Sequence, residues 1–245
     1  MLYLILSDIH ANQHALEAVL ADAAATGYDA VLCLGDLVGY GASPGDVLDR
    51  ITAISPVGLI RGNHDKVCAG LEPATSFNEV ARRAVEWTKT TLTPAQMATL
   101  TALPRGPQRI TDQLEICHGA PFNEDHYVFD RHDAGRAMSS ATARICLFGH
   151  THLPAVFSTP EHPVERTGSD HENEFRLPGE GAVLVNVGSV GQPRDGDPRA
   201  AYGVLDLDRL TLQLRRVRYD VAGAQTAIRA AGLPEWLAKR LGSGE

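Results

Sequence analysis

Five short stretches of this chain end an apolar run with residues that bind metal ions or move protons. Leu2 to Leu6 run into Asp8 and His10, and AVLCL runs into Gly35-Asp36. VGLI, followed by Arg61, leads to Gly62-Asn63-His64-Asp65. LEIC leads to His118-Gly119, and RICLF to Gly149-His150-Thr151-His152. Singly, each is a weak signal, because an Asp after a strand is commonly a helix cap. A lone His is commonly a hydrogen-bonded structural residue. Five such endings at one sheet edge point instead to a single cluster. Residues i and i+2 of an extended chain face one side, which predicts that Asp8 and His10 address one point and that His150 and His152 do the same. Glycines beside Asp36, Asn63, His118 and His150 let the backbone turn sharply and pass close to it.

Carboxylates clustered without compensation repel one another and raise their pKa values. A dication removes that repulsion. The donors are oxygen and imidazole nitrogen with no thiolate, which suits Mn, Fe, Zn, Co or Ni and disfavours Ca. Six or seven ligands exceed one tetrahedral ion but fit two ions that share a carboxylate. Such ions lie roughly 3.5–4 Å apart and stabilise an in-line displacement at phosphorus.

The elements that must position these residues alternate. LYLIL is followed by HALEAVLADAAAT, where Leu16, Val19, Leu20 and Ala23 keep helical spacing up to Gly27. AVLCL, a Gly- and Pro-containing loop, a helix around Asp46 to Ile54, and VGLI come next. Residues 78–103 read as helix, broken at Pro94. LEIC and RICLF are further strands. Residues 159–181 form a polar excursion or hairpin. AVLVNV, AAYGVLDL and LTLQLRRVRY read as strands, the last two paired through Asp206-Leu207-Asp208, and helices close the chain. This order predicts α/β layers with ligands at the carboxyl ends of the strands. One domain over 1–245 is expected, with a helical cap at about 70–105.

As an ordered set, Asp-x-His, Gly-Asp, Gly-Asn-His-Asp, His-Gly and Gly-His-Thr-His resemble the calcineurin-like metallophosphoesterases over roughly residues 1 to 220. The segment NVGSVGQPRDGDPRAAYGVLD is similar to a bacterial metallophosphatase branch. The resemblance implies a four-layer α-β-β-α sandwich of two mixed sheets. It implies that Asp8, His10 and His152 bind one metal, that Asn63, His118 and His150 bind a second, and that Asp36 bridges both. His64 would act as general acid, with Asp65 orienting it and supporting its protonated form, and a metal-activated water would attack phosphorus. One departure from the family stands in GDLVGYG. Where many relatives carry Asp and Arg, this chain has Gly39 and Tyr40, which weakens a protein-phosphatase reading. Tyr40 either touches substrate or packs over its loop. Asn12 is read first as a helix cap and second as a substrate contact. Ser189 or Arg194 could meet a substrate phosphate, Arg through its bidentate fork.

A formal net charge of -8 argues against a general nucleic-acid or acidic-membrane binder. The short LRRVR run reads as a solvated strand edge. The first apolar run is too short and lacks the basic flank of a signal peptide, and no stretch is long enough to span a bilayer. Cys33, Cys68, Cys117 and Cys146 include no closely spaced pair and read as buried hydrophobes in a reducing compartment, so a cytoplasmic protein is expected. His14, His126, His132, His162 and His171 fall outside the motifs and read as surface or helix residues. The expected function is hydrolysis of a small phosphorylated substrate, either a phosphomonoester or a phosphodiester. Diadenosine-tetraphosphate or cyclic-nucleotide hydrolysis stays open. A non-catalytic scaffold is the rival, but it has no need of His64. A nuclease would need a basic track that this chain lacks.

Overall fold

β1 (Leu2–Leu6) shows why the chain folds in layers. Successive side chains on a strand face opposite sides. Tyr3 and Ile5 join a core cluster with Ile116, Leu147 and Val185, while Leu4 and Leu6 join a different one with Leu16, Val19 and Ile51. A strand apolar on both faces must be covered on both.

The computed structural model describes residues 1–167 and 173–245. After β1 come α1 (Gln13–Thr26), β2 (Ala30–Cys33), α2 (Pro44–Ile54), β3 (Gly58–Leu59) and α3 (Asn63–Cys68). Then follow α4 (Glu79–Thr91), α5 (Pro94–Thr101), β4 (Gln108–Arg109), β5 (Leu114–Ile116), α6 (Arg131–Ser140) and β6 (Ile145–Phe148). The chain continues with β7 (Ala155–Ser158), β8 (Glu165–Arg166), β9 (Asn173–Arg176) and β10 (Val183–Asn186). It ends with β11 (Ala200–Asp206), β12 (Thr211–Val217), α7 (Val221–Ala230) and α8 (Glu235–Leu241).

One mixed sheet has the order β3-β2-β1-β11-β12-β9-β8 and the other β4-β5-β6-β10-β7. Their facing sides share one apolar core that includes Ile5, Leu32 and Leu205 from the first sheet and Leu114, Ile145 and Val183 from the second. Helices α1 and α2 cover the outer face of the first sheet, and α6 covers the second through Ala134 and Ala137. This is the four-layer α-β-β-α sandwich of two mixed sheets.

The polar excursion adds β8 and β9 to the edge of the first sheet, beside β12. His171 lies outside the described residues. Residues 70–105 supply α4 and α5, which pack against α2 and α3. Ala84 of α4 also joins the cluster built by α7 and α8. No helix among the described residues is long and apolar enough to cross a membrane.

Four elements escape the sequence reading, one of them the two-residue strand β4. α6 buries only Ala134 and Ala137, too small an apolar stripe to stand out. β7 is half-buried along its length and has no alternation. α3 is a single short turn hidden inside a metal-ligand motif. Ile5 is fully buried between the sheets. Ile5→Ala should lower unfolding free energy by about 2–5 kcal/mol in a denaturant titration. A loss well under about 1 kcal/mol would show that the sheets do not pack through this position.

Candidate metal centre

The strand ends of both sheets meet at one buried place. Asp8 and His10 follow β1, Asp36 follows β2, His118 follows β5, and His150 and His152 follow β6. Asn63 and His64 open α3 just beyond β3. Ligand atoms of Asp8, His10, Asp36 and His152 lie within 4.8 Å of one another, and so do those of Asp36, His118 and His150. Asp36 belongs to both groups. Its Oδ2 lies 3.5 Å from His10 Nε2 and 3.4 Å from His118 Nε2. Its Oδ1 accepts the backbone N–H of His64 at 2.8 Å. Asn63 stands at the second group, with Oδ1 3.1 Å from His118 Nε2.

The route to convergence differs from the extended-chain argument. Asp8, His10, Asp36, His150 and His152 have φ of 51°, 49°, 54°, 68° and 61°. The backbone has left the strand and curls beneath the site in the left-handed region. A residue held in such a sparsely populated conformation costs on the order of 1–3 kcal/mol and persists only where its surroundings over-determine it. Two glycines allow the curl to close. A Cβ on Gly62 would stand 2.1 Å from Asp36 Oδ1, and one on Gly149 2.6 Å from Asp8 Oδ2.

The donor set fits divalent cations. Nδ1 of His10, His118 and His152 lies 3.1, 2.8 and 2.6 Å from the carbonyls of Val38, Leu34 and Gln192. A carbonyl only accepts, so the network assigns the proton to Nδ1 and leaves Nε2 facing inward. His150 is reversed, its Nε2 donating to the Asp125 carbonyl at 3.2 Å and its Nδ1 left for the site. His10 Nε2 and His152 Nε2 face each other at 3.1 Å. Two lone pairs so placed are a natural seat for a cation.

Electrostatics agree. Burial pushes His10 and His152 well below the ordinary imidazole value and His150 down to about 3, so these rings are neutral. Burial pushes Asp8 up to about 6. Burial also disfavours the charged form of Asp36, but the protonated His118 ring beside it outweighs burial and holds the carboxyl well below its usual range. Burial likewise opposes charge on His118, yet the Asp36 carboxylate prevails and raises it to about 10. Without a cation, protonated His118 balances Asp36. A divalent cation held between these ligands would fill that role with His118 neutral.

The remaining expected residues divide. His64 is in neither ligand group. Its Nδ1 is buried with no hydrogen-bond partner, and burial pushes its pKa down to about 4. Its ring packs against Tyr40 at 4.3 Å, Phe77 at 4.6 Å and His10 at 4.9 Å. Asp65 makes no hydrogen bond to the His64 ring. Its oxygens accept the backbone N–H groups of Val38 at 3.0 Å and Gly62 at 2.9 Å, and burial raises it to about 7. It ties two ligand-bearing loops together instead. Asn12 caps α1 through Ala15 N–H and donates to the Gly191 carbonyl and to Tyr219 Oη, so its amide is engaged within the fold. Ser189 is fully buried, donating to the Asp8 carbonyl and accepting from Gln192 N–H. Tyr40 packs at 4.7 Å on the His10 ring, with the Arg194 guanidinium 5.8 Å over its own ring. Arg194 donates to Gln192 Oε1 at 3.0 Å, and its buried Nε has no partner.

Two features at the rim carry no sequence signal. Tyr127 stacks on His150 with centroids 3.8 Å apart. Lys66 is 5% exposed and ion-paired to Glu72, Glu124 and Asp125. Apart from Lys66–Glu72, these contacts join residues distant in the chain, and only the fold brings them together.

Two facing mixed sheets with an Asp/His centre at their strand ends describe a metal-dependent phosphoesterase. The family model of the calcineurin-like phosphoesterase superfamily domain matches residues 1–210. An uncharacterized protein of Methanocaldococcus jannaschii is 33% identical over 246 residues, spanning 97% of this chain and 96% of its own. The crystal structure of a metallophosphoesterase from Sphaerobacter thermophilus superposes with TM-score 0.84 at 34% identity, each chain covered in full. A hypothetical protein from Pyrococcus horikoshii shares the fold, with TM-score 0.82 at 20% identity over 100% of this chain and 98% of its own. The chain belongs to the calcineurin-like phosphoesterase superfamily and is a phosphate-ester hydrolase.

Two outcomes follow from this geometry. Loading with Mn²⁺ at pH 8 should release about one proton per chain, because a ligating imidazole must be neutral. The dependence of calorimetric enthalpy on buffer ionisation enthalpy reads that number, and zero release would show that His118 is already neutral. Asp65→Ala leaves two buried N–H groups unpaired and should lower unfolding free energy by about 1–3 kcal/mol. An unchanged denaturation midpoint would remove Asp65 as the tie between the loops.

Proposed function

We propose that the protein is a di-metal phosphohydrolase, in which Asp8, His10 and His152 hold one divalent ion, Asn63, His118 and His150 hold the other, and Asp36 bridges them. The observation that carries this reading is the pair of ligand groups sharing Asp36, with the unpartnered His64 Nδ1 buried beside them. Mn, Fe, Zn, Ni or Co suits these donors. Two such cations make a bound water acidic and spread the charge that develops on phosphorus oxygens.

The chain's own residues do the rest. Backbone carbonyls and the His64 N–H hold the ligands, so the cations meet a preformed cage. His64 is the general acid. It is neutral in the free protein, and the negative charge of a bound phosphate is what raises its proton affinity. Arg194 has a free buried Nε and lies within electrostatic reach of Asp8, which suits it to a phosphate oxygen. Tyr40 holds Arg194 and His64 in place by packing. We read the chain as one domain in which Phe77, from the segment 70–105, covers His64. Four buried free thiols suit a reducing, cytoplasmic setting.

The test is turnover of a chromogenic phosphomonoester and phosphodiester after loading with each metal. Cleavage of neither, with any of the five metals, would overturn the reading. His64→Ala should retain both metals and lose about 100-fold or more in kcat. Metal analysis showing an ion lost from this variant would make His64 a ligand instead.

A further inference from the structure

The loop of residues 120–130 follows His118 and carries three of the seven large apolar side chains exposed among the described residues: Phe122, Tyr127 and Phe129. Its segment 127–129 alternates. Val128 is 3% exposed and shares a core cluster with Ala134 and Phe148, whereas Tyr127 is 42% and Phe129 60% exposed. With the middle residue turned inward, its two neighbours face out together. Their rings lie parallel, with an interplanar angle of 3° and centroids 5.3 Å apart. At its inner end this pair meets the centre, since the Tyr127 ring stacks on that of His150 at 3.8 Å and 23°.

The loop is held in place. Lys66 donates to both oxygens of Asp125 at 2.9 and 2.7 Å. Arg61 grips Glu124 through two hydrogen bonds of 3.2 and 3.0 Å. The Asp125 carbonyl accepts from His150 itself. Two aromatic rings are therefore fixed in solvent at the rim of a buried, charged centre, although the core lies one residue away at Val128. With His150 against the Tyr127 ring, the open flat face is chiefly that of Phe129, the kind that stacks on planar heterocycles, each such contact contributing about tenfold or more in affinity. An alkyl or sugar phosphate offers no such face.

We propose that Tyr127 and Phe129 form a stacking shelf for the base of a nucleoside phosphate, so that nucleoside phosphate esters are the substrate class of this centre. The inference rests on the phosphoesterase reading above. The phosphate sits at the Asp36 centre and the base lies against the shelf, with the sugar spanning the rim. Arg194 and Tyr40 are within electrostatic reach of the Tyr127 hydroxyl.

The test compares kcat/KM on the manganese-loaded protein for paired esters. One pair is adenosine 5′-monophosphate and glycerol phosphate, and the other is a dinucleoside phosphate and a dialkyl phosphate. The wild type should prefer the nucleoside member of the pair it cleaves by tenfold or more. Phe129→Ala should reduce that ratio about tenfold, chiefly through KM, and Phe129→Trp should keep it. Phe129 is the better probe because its ring stacks on Tyr127 and not on His150. A wild type without the preference, or a ratio untouched by Phe129→Ala, overturns the shelf. Failure to hydrolyse any of the four overturns the phosphoesterase reading instead. Calorimetric binding of the same compounds then reads the shelf through the same ratio.

Discussion

The centre depends on one buried carboxylate that faces two ways. Asp36 is 1% exposed, yet it remains charged because the protonated His118 ring stands beside it. A lone ion at that depth would be driven to its neutral form. One oxygen is anchored by a backbone N–H, so the other is aimed at the space between two imidazoles. Both ligand groups inherit their position from this arrangement. If Asp36 turned, the groups would no longer share a member, and two adjacent cations would have no common anion between them.

Holding it there requires strained backbone. The five left-handed residues among the proposed ligands stand where the two sheets end, and those sheets are packed through a continuous apolar core. That core is distant from the chemistry and indifferent to its identity. It supplies the stability against which several local conformational penalties are tolerated. Asp65 and Ser189 work at the same task at closer range. They fasten the loops bearing Asp36, His64 and Asp8 to one another through backbone hydrogen bonds.

The clustering of Asp8, His10, Asp36, His118, His150 and His152 was legible because each sits just after an apolar run, and that adjacency survives folding. The helices α1, α2, α4 and α5 and the antiparallel pair β11–β12 were legible for a similar reason, since periodicity and turn residues are local. The geometry of approach was not. Asp8 and His10 converge by leaving the extended conformation, and nothing in residue spacing reports a φ of 51°. Asp65 beside His64 reads naturally as its partner, but the nearest unpaired donors belong to backbone that only the fold supplies. Tyr127 was unreadable because its partner His150 is 23 positions away and stacking has no sequence period.

The acidic chain and its anionic substrate are reconciled at the mouth. A net charge of -8 would repel phosphate if it were spread evenly. It is not, since Arg194 and Arg240 stand close enough for Arg194 to add to the burial that pushes Arg240 down to about 10. Two guanidiniums held near each other disfavour one another, and a phosphate bound beside Arg194 would relieve that repulsion. The ligand cage alone does not choose among phosphate esters, because each of its contacts is to metal or phosphate. Choice falls to what borders the cage, namely Tyr40 and Arg194 on the His10 side and Tyr127 and Phe129 on the His150 side. The first pair favours an anion and the second a flat apolar ring, and a nucleoside phosphate is the small molecule that presents both.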